Sequence, residues 1–307
     1  MNFAGETSLI VGADGFLGRN LAAHFDACGH RWTGVWRRDG DLSEPGVAEA
    51  VFAKAPKVDR IFHVVTRQRT GPVQYTMQGE LLRINSAIHI NVLEAWRKHQ
   101  PQAKLISMGS SCTYPESNAP LPETMFGSGG AHPSVYGYAH GKLTIATGSR
   151  AFGEQYGLNW LHLVLATMFG PMDNKTEDRS HFMGAMIDRA VREKSAGAEA
   201  FTVWGNHETV RELLFVEDQI EAILAADAAF ENRVLNTGAN TPVTVREAAQ
   251  SILRALDWNV PLASPPGSFQ GAGYKMLDSS VFLNATGFRQ SKSLVEGVHS
   301  VLASDYS

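Results

Sequence analysis

Cysteine is nearly missing from this chain: its 307 residues hold two, Cys28 and Cys112. That scarcity excludes a disulfide framework and fits a reducing compartment. Positive charge is not in surplus either. The formal net charge is −4, so no nucleic-acid partner is expected. No paired histidines or cysteines fall at metal-ligating spacing, which excludes the common zinc motifs. The best apolar run, Leu161 to Phe169, is too short to span a membrane. A secretory leader is not expected, because Gly12, Asp14 and Gly15 interrupt the first apolar stretch. These absences point to a soluble cytoplasmic protein, long enough to form one large domain or two unequal ones.

What is present begins with Ser8-Leu9-Ile10-Val11, an apolar strand that runs into Gly12-Ala13-Asp14-Gly15-Phe16-Leu17-Gly18. A helical pattern follows, with Leu17, Leu21 and Phe25 on one side. Strand, glycine turn and helix in this order suit a dinucleotide. The first glycine turns the chain, the second admits the pyrophosphate and the third packs helix on strand. Gly12, Gly15, Phe16, Leu17 and Gly18 are therefore cofactor candidates. The next strand, Trp32 to Trp36, ends in Arg37-Arg38. An acidic residue near this point would hold a ribose 2'-hydroxyl, whereas arginines pair with a 2'-phosphate, so NADPH is favoured. Asp41-Leu42 follows, placed to meet the adenine edge. Val58 to Val65 is a further strand candidate, and a helix is expected from about Gly79 to His99. His63 and His89 read as packing or surface residues.

The reactive side chains concentrate between Ser107 and Lys142. Leu105 to Pro115 reads as a buried strand that spills into small polar residues, among them Ser110 and Cys112, and stops at a proline. Ser134 onward opens a helix on which Tyr138 and Lys142, four residues apart, share one face. A lysine there is expected to lower the phenol's pKa by favouring phenolate, making Tyr138 a proton donor to a ketone that receives hydride. Ser110 would steady the ketone oxygen.

The glycine loop, the Ser110-Ser111-Cys112-Thr113-Tyr114-Pro115 run and the Tyr138/Lys142 pair together resemble the extended short-chain dehydrogenase/reductase superfamily. Within it, the cysteine-bearing run resembles the GDP-L-fucose synthase family, the GDP-4-keto-6-deoxymannose 3,5-epimerase/4-reductases. Gly170-Pro171, Asp173-Asn174 and Ser180-His181 are similar to a family segment in which the histidine is the second acid/base. The resemblance implies that Cys112 and His181 exchange protons beside the 4-keto group, that Lys142 also holds the nicotinamide ribose, and that Arg189 contacts substrate. It further implies that Trp204 and Arg211, in Val203-Trp204-Gly205 and Val210 to Asp218, face the nucleotide sugar, and that Lys275 meets the diphosphate.

The pattern is not uniform. Asp14 stands where the family has a basic residue, Thr167-Met168-Phe169-Gly170-Pro171 lacks the family's asparagine, and the loop from Pro265 to Lys275, expected over the sugar nucleotide, is longer and lacks an arginine. A 4-reductase or an epimerase alone, acting on a related nucleotide sugar such as a deoxyheptose or dideoxyhexose, is the alternative. A regulatory protein that binds the nucleotide without turnover is disfavoured, because both Tyr138 and Lys142 are present. The expected architecture is α/β: a Rossmann-type doubly wound parallel sheet over residues 1–170, with a further strand near 233–237, and a smaller, discontinuous C-terminal substrate lobe over 171–307. Apolar helices around Leu82 to Trp96 and Tyr138 to Phe152 suggest a homodimer.

Overall fold

The computed structural model describes residues 5–70, 73–176, 179–265 and 273–306. Strands alternate with helices from the start: β1 (Thr7–Val11), α1 (Phe16–Cys28), β2 (Arg31–Val35), α2 (Val47–Lys54) and β3 (Arg60–His63). Next come α3 (Val73–Thr76), α4 (Gln78–His99), β4 (Lys104–Ser110), α5 (Tyr136–Tyr156), β5 (Trp160–Leu165) and β6 (Thr167–Phe169). The second half holds α6 (Phe182–Ser195), β7 (Phe201–Thr202), β8 (Val210–Phe215), α7 (Val216–Ala229), β9 (Arg233–Thr237) and β10 (Pro242–Thr244). It ends with α8 (Val245–Ala255), β11 (Leu262–Ala263), β12 (Tyr274–Lys275), α9 (Ser280–Thr286) and α10 (Leu294–Asp305).

Six strands pair in parallel in the order β2-β1-β3-β4-β5-β9. This is the doubly wound sheet expected from the alternation of elements. Strands covered on both faces must be apolar throughout, and every residue of Trp160–Leu165 is buried. On one face, Leu21 and Phe25 of α1 and Ile220 and Ile223 of α7 pack against Ile10, Phe62 and Leu163. On the other, Phe52, Val92, Trp96 and Ile145 pack against Leu9, Ile61 and Leu105. The candidate strand at Val58 to Val65 pairs only over Arg60–His63. Val64 and Val65 have left the ladder and line a cleft.

A second layer is built on β8, which pairs with β6, β10 and β12, while β7 pairs with β11. Glu212 of β8 ties this layer together: its buried carboxylate accepts the backbone N–H groups of Ala239 at 2.7 Å, Asn240 at 2.8 Å and Leu277 at 3.3 Å. Helices α6, α8 and α10 cover the layer with Met183, Ile187, Ile252 and Val298. Capping boxes start α8 at Thr244 with Glu247 and α10 at Ser293 with Glu296. Among the described residues, no helix is long and apolar enough to cross a membrane.

A polar row crosses the main sheet. His63, Ser107 and His162 are register partners on β3, β4 and β5. The Ser107 hydroxyl lies 2.8 Å from His162 Nδ1, and His63 Nε2 lies 2.8 Å from Nδ1 of His89 on α4. Burial pushes His63 and His162 down to about 3, and His89 well below its ordinary value. All three are neutral in the folded chain at neutral pH, whereas the unfolded chain protonates them below about 6.5. Their contribution to stability is therefore present above that pH and lost as pH falls through it toward 3. Urea unfolding followed from pH 7 to pH 5 is expected to show stability falling by up to ~1.4 kcal/mol per pH unit for each histidine. His89→Gln is expected to remove one histidine's share of that slope.

Candidate active site

The strand order reverses between β1 and β3, and a cleft opens at the carboxyl ends of these strands, as doubly wound sheets require. It encloses about 870 Å³ and is lined from both layers. At its floor Gly12 has φ +99°, and a Cβ there would lie 2.8 Å from the Val65 side chain. A Cβ on Gly18 would lie 2.1 Å from Gly12 O, so this glycine lets α1 seat against the β1 turn. No side chain caps α1 at Gly15, and its first turn carries no acid. The helix-start amides, with Phe16 and Leu17, are thus free for an anion.

Arg37, Asp41 and Leu42 line the cleft beyond this loop. Arg38, expected beside Arg37, is not among the lining residues; its guanidinium stacks on the Trp36 ring at 4.5 Å. The short helical turn Arg37–Asp39 sends the two arginines in different directions. Asp14, which stands where the family has a basic residue, accepts the Arg37 backbone N–H at 3.1 Å and so anchors that turn. Asp41 accepts both the N–H and the hydroxyl of Ser43, at 2.9 and 2.7 Å.

Ser110 ends β4 and its Oγ accepts the Cys112 N–H at 3.3 Å, holding a tight turn that presents the thiol. Tyr138 and Lys142 face the same space from α5. The Lys142 ammonium donates to Met108 O at 2.9 Å and lies 5.9 Å from the centre of the Tyr138 ring. This geometry corrects the expected acidification of the phenol. Burial pushes Tyr138 up, the charge on Cys112 adds to the rise, and hydrogen bonds to Thr66 and Ser110 only partly oppose it. Tyr138 is held as a protonated phenol, a stocked donor. Burial lowers Lys142 to about 8, partly offset by Cys112.

His181 precedes α6 and reaches the cleft across from β4. Its Nδ1 lies 2.8 Å from Asp173 Oδ1, while Asp173 Oδ2 accepts its backbone N–H at 3.0 Å. The ring packs on Phe16 of the glycine loop with centroids 5.0 Å apart. A carboxylate on Nδ1 fixes the tautomer and presents Nε2. Arg189 stacks on Trp204 at 3.9 Å, and both line the cleft with Arg211. Lys275, expected at a diphosphate, has its Nζ 3.3 Å from Cys112 Sγ. Burial pushes the Cys112 thiol up, yet Lys275, with Ser110 and Arg211, brings it below its ordinary value. The cations that act on the sulfur are thus Lys275 and Arg211. Most of the long loop between Pro265 and Lys275 lies outside the described residues.

Residues 8–238 match the NAD dependent epimerase/dehydratase family. The chain belongs to that family. A probable GDP-L-fucose synthase of Drosophila melanogaster is 29% identical over 292 residues, 90% of this chain and 89% of the relative. The GDP-L-fucose synthase of Escherichia coli K12 is 25% identical over 238 residues, 74% of each chain. The fold is shared with a GDP-L-fucose synthetase from Naegleria fowleri at TM-score 0.87 and 18% identity, covering 98% of this chain and 94% of that one. It is shared equally with a GDP-6-OMe-4-keto-L-xylo-heptose reductase from C. jejuni, at TM-score 0.87 and 17% identity over 97% of both chains.

Sequence reasoning passed over the partner of His181. Asp173 stands in the Gly170 to Asn174 segment, eight residues before the histidine, and that spacing was the available signal. It also missed the β3–α3 loop, where Thr66 reaches the Tyr138 phenol and Arg69, only 7% exposed, lines the cleft. Gly18→Ala is expected to cost about 1–3 kcal/mol in urea unfolding, because the added methyl has no space beneath α1. The same variant should lose dinucleotide binding measured by calorimetry.

Proposed function

We propose that the protein is an NADPH-dependent epimerase and 4-keto reductase of a GDP-linked 4-keto-6-deoxy sugar, acting as GDP-L-fucose synthases do. The observation that carries this reading is the meeting, in one cleft, of a protonated phenol, a thiol held below its ordinary value and a carboxylate-oriented histidine. Reduction alone would need only the phenol. The glycine floor, the free start of α1 and Arg37 support a dinucleotide carrying a 2'-phosphate. When bound, NADPH supplies the hydride.

Carbons beside a 4-keto group are acidic, so one side chain can remove a proton and another can return one to the opposite face. Cys112 is suited to removal and His181 to return, with Asp173 keeping Nδ1 occupied so that Nε2 faces the sugar. For reduction, Tyr138 gives its proton to O4, Ser110 steadies that oxygen, and the Lys142 ammonium stabilises the phenolate left behind. Arg189, Trp204 and Arg211 are assigned to the nucleotide sugar. A cytoplasmic homodimer completes the proposal. It is supported by the exposure of Leu82 and Ile90 on α4 and Tyr136 on α5, side chains too apolar to favour water.

A second reading, 4-reduction only of a related GDP-heptose, is favoured by Thr167 and Met168, which line the cleft where GDP-L-fucose synthases are expected to carry an asparagine. Incubation with GDP-4-keto-6-deoxymannose and NADPH in heavy water separates the two. Deuterium at C3 and C5 with NADPH oxidised is the expected result; oxidation without deuterium leaves the reductase reading. Cys112→Ser and His181→Asn should abolish the exchange. Asp173→Asn should slow it about tenfold to hundredfold, the tautomer being no longer fixed. Lys142 carries its charge only below about 8, so the rate of 4-keto reduction should fall by about tenfold per unit as pH rises beyond that value. Lys142→Arg should move this limb upward, since a guanidinium keeps its charge.

A further inference from the structure

Cys112 and Lys275 reach each other from different layers of the molecule. The thiol sits on the turn after β4, and the ammonium comes from β12, a two-residue strand paired in parallel with β8. In that pairing Lys275 lies directly opposite Arg211. Both side chains are partly withdrawn from water, and the Arg211 guanidinium donates to Val210 O at 2.8 Å. Burial lowers Arg211 to about 10, while Cys112 raises it. Two cations on this edge of the cleft favour an anion near them.

The sulfur of Cys112 is within reach of both charges. Among the described residues, five groups act on it: Ser110 on its own turn, Tyr138 and Lys142 from α5, Arg211 from β8 and Lys275 from β12. Of these, Lys275 is in direct contact, its Nζ 3.3 Å from Sγ. An ammonium has three donors and no acceptor, and a neutral thiol accepts only weakly. The contact becomes a strong, charge-assisted one when the sulfur is ionised.

We propose that Lys275 is a positioning residue that holds Cys112 as a thiolate in the free protein, pairing with it from the other layer. The role gains its meaning from the reading of Cys112 as the base that opens epimerisation: the proton has already left before the sugar arrives. The ionisation itself does not depend on which sugar reacts.

The test is a pH titration of thiolate ultraviolet absorbance on the full chain with no cofactor or substrate added, using Cys112→Ser as the blank. The native protein should titrate below the ordinary thiol value of about 8.5. Lys275→Met should move the midpoint up by at least about one pH unit, lowering the thiolate fraction about tenfold at any pH well below both midpoints. Lys275→Arg, which keeps the charge, should restore it. A native midpoint at or above the ordinary value overturns the proposal by itself, without reliance on any Lys275 variant. So does an equal midpoint in native protein and a folded Lys275→Met. Failure of the proposed function would appear elsewhere, as missing deuterium at C3 and C5 with the titration unchanged.

Discussion

One buried amide holds the reactive turn to the rest of the molecule. Asn236 of β9 is fully enclosed, and its Oδ1 accepts the Tyr114 phenol at 2.7 Å. Its Nδ2 donates to Leu121 O at 2.8 Å and Asp278 O at 2.9 Å. Tyr114 follows Cys112 by two residues, and Asp278 follows Lys275 by three. The same side chain therefore fixes the segment that carries the thiol and the segment that carries its counter-ion. Backbone hydrogen bonds between Leu121 and both Met276 and Asp278 complete the tie. A buried polar group with every partner supplied is stiff, because loss of any one leaves an unsatisfied group in a low dielectric. That stiffness is what lets a contact between two flexible side chains persist across a cleft.

Much of this was legible in the sequence because it is local. The glycine spacing dictates a turn before a helix, and Gly12 and Gly18 meet their neighbours as that spacing implies. Tyr138 and Lys142 share a helix face because four residues make about one turn. The apolar runs of β1 and β4 announced strands, that of β4 a buried one, whereas Leu161 to Phe169 read only as an apolar run and proves to hold β5, buried throughout. What escaped is long-range. The two-residue strands β7, β11 and β12 carry no periodicity, and they exist only because β8 and Pro261 to Ala263 lie beside them. Lys275 could be matched to a pattern, but its sulfur partner, 163 residues earlier in the chain, could not be read from spacing. Arg37 and Arg38, adjacent and identical in type, part company through a single turn anchored by Asp14 and Asp39.

The formal charge is equally silent about the site. A chain of net charge −4 lines its cleft with Arg67, Arg69, Arg179, Arg189, Arg211 and Lys275. The cleft also holds Asp14, Asp41 and Asp173, but other acids lie away from it: Asp227 is paired in the interior with Arg60 and Lys104, and exposed glutamates pair on helix surfaces, as Glu154 does with Arg150. Concentrating cations in a concave, partly dry surface raises the local potential well beyond what the sum of charges suggests. Such a field suits a ligand with several phosphate charges, and the glycine floor at one end of the cleft supplies the amides that such a ligand also needs.

The same field explains how two neighbouring acids are shifted in opposite directions. Tyr138 and Cys112 are both withdrawn from water, and withdrawal alone favours the neutral form of each. The difference is what faces them. Cys112 meets the Lys275 ammonium, the Arg211 guanidinium and the Ser110 hydroxyl, so its charged form is stabilised. Tyr138 meets hydroxyls from Thr66 and Ser110 and the charge of Cys112 itself, so its neutral form prevails. Each state reinforces the other: a thiolate keeps the phenol protonated, and a protonated phenol leaves the thiolate's cations unshared. Lys142 stays close enough to help a phenolate once the proton has gone, and as an ammonium donating to Met108 O it has no lone pair with which to take that proton. A base and an acid can thus stand ready together at one pH, which a single environment could not provide.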